Sequence, residues 1–185
     1  MSPSDTISLM VMKLTKGYIQ IYTGNGKGKT TAAIGLAIRA AGAGLKIFIG
    51  QFIKGMHYAE LDGLKRFDDL ITVKQYGRGC FITGEPEQVD IDLAKKGLSE
   101  MKQVIASGNY DLVILDEINV AHFFKLITTQ ELLSVLDVKP EKVELVFTGR
   151  NAPQELIDCA DLVTDMREIK HYYTQGVQAR IGIET

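Results

Sequence analysis

The sequence is poor in cysteine. It has two cysteines among 185 residues, Cys80 and Cys159, and neither belongs to a C-x-x-C pair or to a Cys/His spacing typical of zinc ligands. A disulfide framework or a structural zinc site is therefore not expected. Two isolated cysteines are typical of a protein of the reducing cytosol. We expect both to act as small apolar side chains.

The sequence also lacks a strong net charge and long apolar runs. Its formal net charge is −2, which predicts no general attraction to nucleic acid or to an anionic membrane surface. No apolar run is long enough to span a bilayer, and the apolar patch at residues 7–12 is too short for a signal-peptide core. We therefore expect a cytoplasmic protein whose anion binding, if any, comes from a local site.

Apolar runs rich in Val, Ile, Phe and Tyr alternate with helical patterns, which predicts an α/β fold with a mainly parallel central sheet. Consecutive apolar residues at 112–115 are typical of a strand buried on both faces. The predicted strands are 18–23, 45–51, 71–76, 111–116, 143–148 and 162–166. The predicted helices are 30–41, 87–107, 120–127, 130–136 and 153–159. We further predict an N-terminal tail over residues 1–16, a single domain over 17–185, and a docked extension from residue 170 onward.

Two of the helical patterns predict which face is buried. In the helix at 30–41, Ile34, Ile38 and Ala41 fall on one face, and the many small residues would allow close packing against a sheet. In the helix at 87–107, the predicted apolar face consists of Ala94, Leu98, Met101 and Ile105. Gly108 follows this helix as a stop signal.

A glycine-rich segment between the first strand and the first helix is the strongest functional motif. It reads Gly24-Asn25-Gly26-Lys27-Gly28-Lys29-Thr30-Thr31. Glycines let successive backbone N–H groups form an anion cradle, and the helix N-terminus adds partial positive charge. This context predicts a phosphate-binding loop in which Lys29 reaches the phosphates and the Thr30 hydroxyl coordinates Mg²⁺. The alternative is a glycine-rich turn that binds nothing.

The loop departs from the common phosphate-loop pattern at two positions. Thr23 stands where the first glycine usually lies, and Lys27 is an additional lysine inside the loop. Two ammonium groups this close together repel each other unless a highly charged anion lies between them. The loop therefore favours a whole triphosphate over a monophosphate as its ligand.

A second motif follows the predicted strand at 111–116, which ends in Asp116 and Glu117. Carboxylates at the carboxyl edge of an open α/β sheet lie where ligands of such sheets bind. Together with the phosphate-binding loop, the pair resembles a Walker B segment that holds a metal ion or water. The alternative is an acidic cap on the next helix.

These motifs resemble those of the P-loop type ATP:corrinoid adenosyltransferase family, and the resemblance runs from about residue 17 to residue 184. It implies a three-layer, RecA-like P-loop NTPase fold and transfer of the 5′-deoxyadenosyl group of ATP to corrinoid Co(I), with triphosphate as the leaving group. The segments that carry it are Thr23 to Thr31, Gln51-Phe52-Ile53-Lys54-Gly55, Leu115-Asp116-Glu117, Thr148-Gly149-Arg150, Ile169-Lys170-His171 and Gly182-Ile183-Glu184.

The resemblance also implies roles for individual residues. Implied catalytic residues are Lys27, Lys29, Glu117 and Phe81. Implied nucleotide-binding residues are Gly24, Asn25, Gly26, Lys27, Gly28, Lys29, Thr30, Thr31 and Arg150. Implied metal-binding residues are Thr30 and Glu117, with Asp116 in support.

Two of these implied roles, and the residue at position 79, carry open points. Arg150 is either a phosphate contact or a surface arginine on a turn. Phe81 is either an aromatic beside the corrin ring, where it excludes the lower axial ligand, or a core residue. Gly79 stands where some family members carry a second aromatic, so part of the ligand-excluding role falls to Tyr76 or to the N-terminal tail.

By the same resemblance, the expected cofactor is Mg²⁺, and ATP and a corrinoid are the substrates. A flavodoxin or flavin reductant and a homodimer are also implied, whereas nucleic-acid and membrane partners are not expected. Two other functions stay open at this point. One is a generic P-loop NTPase or small-molecule kinase that acts at the γ-phosphate, and the other is a protein that binds ATP without turnover.

Overall fold

A computed structural model describes residues 13–78 and 85–184, with strands and helices alternating along the chain. The strands are β1 (Ile19–Thr23), β2 (Ile47–Phe52), β3 (Ile71–Tyr76), β4 (Leu112–Asp116), β5 (Glu144–Thr148) and β6 (Leu162–Asp165). The helices are α1 (Lys29–Gly42), α2 (Ala59–Leu64), α3 (Gln88–Ser107), α4 (Ile118–Phe123), α5 (Thr129–Leu133) and α6 (Gln154–Asp158). Short 3₁₀ helices cover Lys65–Phe67, Leu136–Val138 and Tyr172–Gln175.

The six strands form one parallel sheet in the order β3-β2-β4-β5-β1-β6. All six predicted strands are confirmed, and their ends agree within two residues. The strand β5 lies between β1, which leads into the glycine-rich loop, and β4, which ends in Asp116. Because parallel strands all end at the same edge of the sheet, the residues after β1, β4 and β5 meet there.

Helices cover both faces of the sheet. On one face, α1 contributes Ala33 and Ala37 to a core that includes Ile114 in β4. On the other face, α3 and α5 contribute Met101 and Leu132 to the larger core. The predicted α/β fold with a mainly parallel sheet is confirmed, and its three layers are consistent with a P-loop NTPase-like fold.

The buried face of α1 differs from the prediction. Ile38 is 43% exposed and Ile34 is only partly buried, whereas Ala33, Ala37 and Ala40 are at most 7% exposed. Small side chains face the sheet because they let the helix backbone approach it closely, and the bulkier isoleucines lie at the flank. Of the predicted face, only Ala41 is buried.

The helix α3 agrees with its prediction. The four residues of its predicted apolar face are at most 5% exposed. At its N-terminus the Asp90 carboxylate accepts a hydrogen bond from the Glu87 backbone N–H over 3.0 Å, and the Asp90 N–H donates to the Glu87 carbonyl oxygen over 3.0 Å. Gly108 ends the helix with a positive φ of 62°.

Other elements were missed or shifted. The helix α2 was not predicted. The helix predicted at 130–136 ends at Leu133, and a separate 3₁₀ helix begins at Leu136. The strand β6 is exposed along its whole length, as suits an edge strand.

No helix within residues 13–78 and 85–184 is long and apolar enough to cross a membrane. The division of the chain at residue 17 stays a prediction.

Candidate functional site

A cavity of about 650 Å³ opens at the carboxyl ends of the strands. The residues of the predicted site that line it are Gly26, Lys27, Gly28, Lys29, Thr30, Thr31, Glu117 and Arg150. Of the remaining members that the structure describes, Gly24 and the exposed Asn25 lie outside the cavity lining, and Asp116 is buried behind it. The fold therefore brings most of the predicted nucleotide-binding residues together around one cavity.

The glycine-rich loop presents the N-terminus of α1 to this cavity. Gly28 precedes the helix with a φ of 119°, and no side chain caps the first backbone N–H groups. The Gly26 N–H donates to the Met166 carbonyl oxygen over 2.6 Å, which ties the loop to the segment after β6. Uncapped N–H groups at the start of a 14-residue helix are suited to hold an anion.

Lys29 is buried at the base of the loop. Its Nζ donates to the Gly24 and Gly26 carbonyl oxygens, each over 2.7 Å. Burial lowers the pKa of the Lys29 ammonium; the negative charge of Glu117 opposes this shift, and the positive charge of Arg150 adds to it. Lys29 and Arg150 both line the cavity, and two cations on one cavity wall favour a polyanionic ligand.

Lys27 projects from the same loop and contacts the C-terminal segment. Its Nζ donates to Glu184 Oε1 over 2.7 Å, to the Ile183 carbonyl oxygen over 2.9 Å and to the Tyr172 hydroxyl over 3.1 Å. The hydrogen bonds with Glu184 and Tyr172 raise the pKa of Lys27, so the ammonium is kept charged. The far end of the chain thus closes one side of the cavity.

Asp116 is 1% exposed and accepts four hydrogen bonds. Its Oδ1 accepts from Thr30 over 2.9 Å and from Thr148 over 2.6 Å, and its Oδ2 accepts from Gln51 over 3.2 Å and from Lys54 over 2.8 Å. The carboxylate therefore orients the Thr30 hydroxyl from behind. Gln51, Lys54 and Thr148 were missed as site residues, although each lies in a segment that carries the family resemblance.

Glu117 lies at the rim of the cavity in an unusual backbone conformation. Its φ is +60°, and its backbone N–H donates to Thr148 Oγ1 over 2.9 Å. A non-glycine residue held in this region costs on the order of 1–3 kcal/mol and is often found at functional sites. Burial and the neighbouring charge of Asp116 raise the pKa of Glu117, so a bound cation would favour its ionised form.

The oxygen donors at the cavity wall fit a magnesium ion. Within the described parts of the chain, no cluster of three or more His, Cys, Asp or Glu residues is placed to hold a metal. Magnesium needs no such cluster, because it keeps several waters and binds one or two carboxylates together with substrate phosphates. The Thr30 hydroxyl and the Glu117 carboxylate are hard oxygen ligands of this kind.

A second cavity of about 250 Å³ adjoins the first. Its apolar lining consists of Phe52, Ile53, Met56, Val120 and Phe124. Lys54, Tyr58 and Glu117 line both cavities and form a shared wall between them. Arg78 lies at the edge of the second cavity, and Phe81 belongs to residues 79–84, outside the described residues.

Comparison with known proteins gives a consistent result. The family described as ATP:corrinoid adenosyltransferase BtuR/CobO/CobP matches residues 15–185. A corrinoid adenosyltransferase from Sinorhizobium sp. is 37% identical over 172 residues, covering 91% of this chain and 80% of the relative. Corrinoid adenosyltransferases from Pseudomonas aeruginosa and Escherichia coli are 33% and 32% identical, and each match covers 91% of this chain and 84% or 86% of the relative.

Proposed function

Since the chain belongs to the ATP:corrinoid adenosyltransferase family, we propose that it transfers the 5′-deoxyadenosyl group of ATP to the Co(I) of a corrinoid and releases inorganic triphosphate. One observation of the structure supports this proposal above the others. A cavity lined by cations and helix N–H groups shares a wall with an apolar cavity. Such a pair suits a polyanionic substrate on one side and an apolar part of a second substrate on the other.

The reaction is a displacement at the C5′ carbon of ATP. The electron pair of Co(I) forms the Co–C bond, the bond between C5′ and its oxygen breaks, and that electron pair leaves with the triphosphate. Negative charge therefore grows on the triphosphate. Lys27, Lys29 and Arg150 line the cavity that would hold it, and preorganised charges of this kind are worth roughly 10²–10³ in rate each.

We propose that Mg²⁺ is bound by the Thr30 hydroxyl and the Glu117 carboxylate together with the phosphates of ATP. Asp116 would act indirectly, because its carboxylate holds the Thr30 hydroxyl over 2.9 Å. When bound, the ion neutralises part of the triphosphate charge. The remaining nucleotide contacts are assigned to the loop from Gly24 to Thr31.

The apolar cavity would receive part of the corrin, and we propose that Phe81 excludes the lower axial ligand of the cobalt. The proposal rests on the family resemblance and on Arg78, which lies at the edge of this cavity three residues before Phe81. The substitution Phe81→Ala should slow the reaction that starts from Co(II) more than the reaction that starts from chemically prepared Co(I). Equal effects on the two reactions would leave Phe81 with a packing role only.

We also propose a cytoplasmic homodimer that receives its electron from a flavodoxin or a flavin. These assignments come from the family resemblance and, for the compartment, from the two isolated cysteines. Analytical ultracentrifugation and reduction of Co(II) by candidate donors would test them separately from the chemistry.

Product analysis tests the proposed function. The protein is mixed with Mg-ATP and chemically reduced cobalamin under anoxic conditions. Inorganic triphosphate and an alkylcobalamin are expected in equal amounts. The alkylcobalamin is recognised by its light-sensitive spectrum. ADP and phosphate without a spectral change would instead support an NTPase or kinase that acts at the γ-phosphate, and thermal stabilisation by Mg-ATP with no product would support a binding protein.

A matched pair of lysine variants makes this assay specific. Lys29→Met removes the buried loop lysine, whereas Lys142→Met removes an exposed lysine outside both cavity linings. Loss of triphosphate with the first variant alone would tie the product to the cavity.

A further inference from the structure

The wall shared by the two cavities marks where the reacting carbon must lie. During the proposed reaction C5′ is bonded partly to the triphosphate oxygen and partly to cobalt, so it lies between their binding sites. The residues described by the structure that line both cavities are Lys54, Tyr58 and Glu117. Of these three, Lys54 is the one that carries a positive charge.

The Lys54 ammonium is held among acidic and aromatic groups. Its Nζ lies 2.8 Å from Asp116 Oδ2, 3.6 Å from Glu60 Oε1 and 5.2 Å from the centroid of the Tyr58 ring. The side chain is 14% exposed, so water screens its charge only weakly. The ammonium is therefore a preorganised charge at the junction of the cavities.

The backbone around Lys54 is strained in a way that places this side chain. Ile53, which precedes it, has a φ of +64°, and a β-branched residue in this region is a genuine outlier. Holding it there costs conformational free energy, which the surrounding structure must offset. Strain of this kind at a cavity wall points to a functional requirement.

Two glycines make this backbone conformation possible. A Cβ atom on Gly77 would overlap the carbonyl group of Ile53, and a Cβ atom on Gly55 would overlap the carbonyl group of Arg78. The chain after β2 is thus pressed directly against the chain after β3. This contact fixes the loop from Ile53 to Gly55 and, with it, the origin of the Lys54 side chain.

Asp116 does not depend on Lys54 alone. Its carboxylate also accepts hydrogen bonds from Thr30, Thr148 and Gln51. Lys54 can therefore turn toward a substrate while three donors continue to hold the carboxylate. A lysine that served only to neutralise Asp116 would not need to line both cavities.

We propose that Lys54 is a catalytic residue whose ammonium stabilises the negative charge developing on the oxygen that departs from C5′. This inference rests on the proposed adenosyl transfer. In an in-line displacement the departing oxygen lies on the side of the carbon opposite cobalt, which is the side of the nucleotide cavity. The Co(I) electron pair makes the new bond, the C5′–O pair departs with triphosphate, and Lys54 faces that oxygen without giving up a proton.

The test separates binding from chemistry in the full-length protein. Lys54→Met removes the charge at nearly constant volume, and Lys74→Met is the control, since Lys74 pairs with Glu100 away from both cavities. Titration calorimetry measures Mg-ATP affinity without corrinoid, and single-turnover spectroscopy measures Co–C bond formation from Co(I). For Lys54→Met we expect formation to slow roughly 10²–10³-fold, with ATP affinity changed no more than about threefold, a factor worth less than 1 kcal/mol.

The results that would contradict the catalytic role of Lys54 differ from those that would contradict adenosyl transfer. Wild-type formation rates for Lys54→Met, or affinity and rate that fall in parallel, would overturn the catalytic role while leaving adenosyl transfer intact. Wild-type protein that makes ADP instead of triphosphate would overturn the proposed function and this inference with it.

A second variant covers the case in which Lys54→Met does not fold. Lys54→Arg keeps a positive charge beside Asp116 but moves it, because a guanidinium is longer and planar. If Lys54 acts on the departing oxygen, Co–C bond formation should slow at least about tenfold, or about 1.4 kcal/mol, at unchanged ATP affinity. Full wild-type turnover in Lys54→Arg would fit a cation that only neutralises Asp116 and would overturn the assigned role at the departing oxygen.

Discussion

Thr148 at the end of β5 is hydrogen-bonded to both acidic residues of the site. Substitution of Thr148 therefore tests both contacts at once. The hydroxyl donates to Asp116 Oδ1 over 2.6 Å and accepts from the Glu117 N–H over 2.9 Å. Thr148 itself is 0% exposed, so water cannot replace either bond. The substitution Thr148→Val keeps the shape of the side chain and removes both hydrogen bonds.

The expected loss of stability follows from these two bonds. A hydrogen bond to a charged group contributes about 1.5–3 kcal/mol, and a buried N–H without an acceptor costs about 1–3 kcal/mol. Because the two losses share one atom they are not fully additive, and we expect Thr148→Val to lower the free energy of unfolding by about 2–5 kcal/mol. For a chain of this size, each kcal/mol shifts Tm by roughly 2–4 °C.

Urea denaturation of the nucleotide-free protein, followed by circular dichroism, measures this loss. Thr148→Ser is the matched control, because it keeps the hydroxyl and removes one methyl group, worth about 0.8 kcal/mol. Thr164→Val on the exposed strand β6 controls for the substitution itself. A Val variant within about 1 kcal/mol of wild type, well below the bond values above, or a Ser variant as unstable as the Val variant, would refute the assigned role of the hydroxyl.

Two further predictions concern charges at the cavity. Lys29→Ala should lower turnover roughly 10²–10³-fold, as expected for one preorganised charge contact, and unchanged turnover in the triphosphate assay would remove Lys29 from the catalytic set. Glu117→Gln should raise the Tm of the nucleotide-free protein at neutral pH. The pKa of Glu117 is raised in the folded state, so its ionised form destabilises the fold. The gain in Tm should vanish in acid, where Glu117 is protonated. The same variant should lose the added stabilisation by Mg-ATP relative to ATP alone, and a lower Tm at neutral pH would contradict the sign of the argument.

The sequence determined the elements that depend on local pattern. Alternation of apolar runs with helical segments predicted all six strands. The clearest case is β4, which is buried along its whole length and reads as an uninterrupted apolar run from Leu112 to Leu115. The glycine-rich loop between a strand and a helix likewise predicted an anion site, because the backbone geometry that it requires is local. Most of its predicted residues do line one cavity.

Tertiary structure decided which distant residues meet. The burial of Ala33 in place of Ile38 depends on how closely α1 approaches the sheet, and periodicity alone does not specify that distance. The strand order places β5 between β1 and β4. This order brings the Thr148 hydroxyl within hydrogen-bonding distance of the Asp116 carboxylate. Lys54 reaches the same carboxylate from the end of β2 because strand pairing, not sequence spacing, makes the ends of β2 and β4 neighbours.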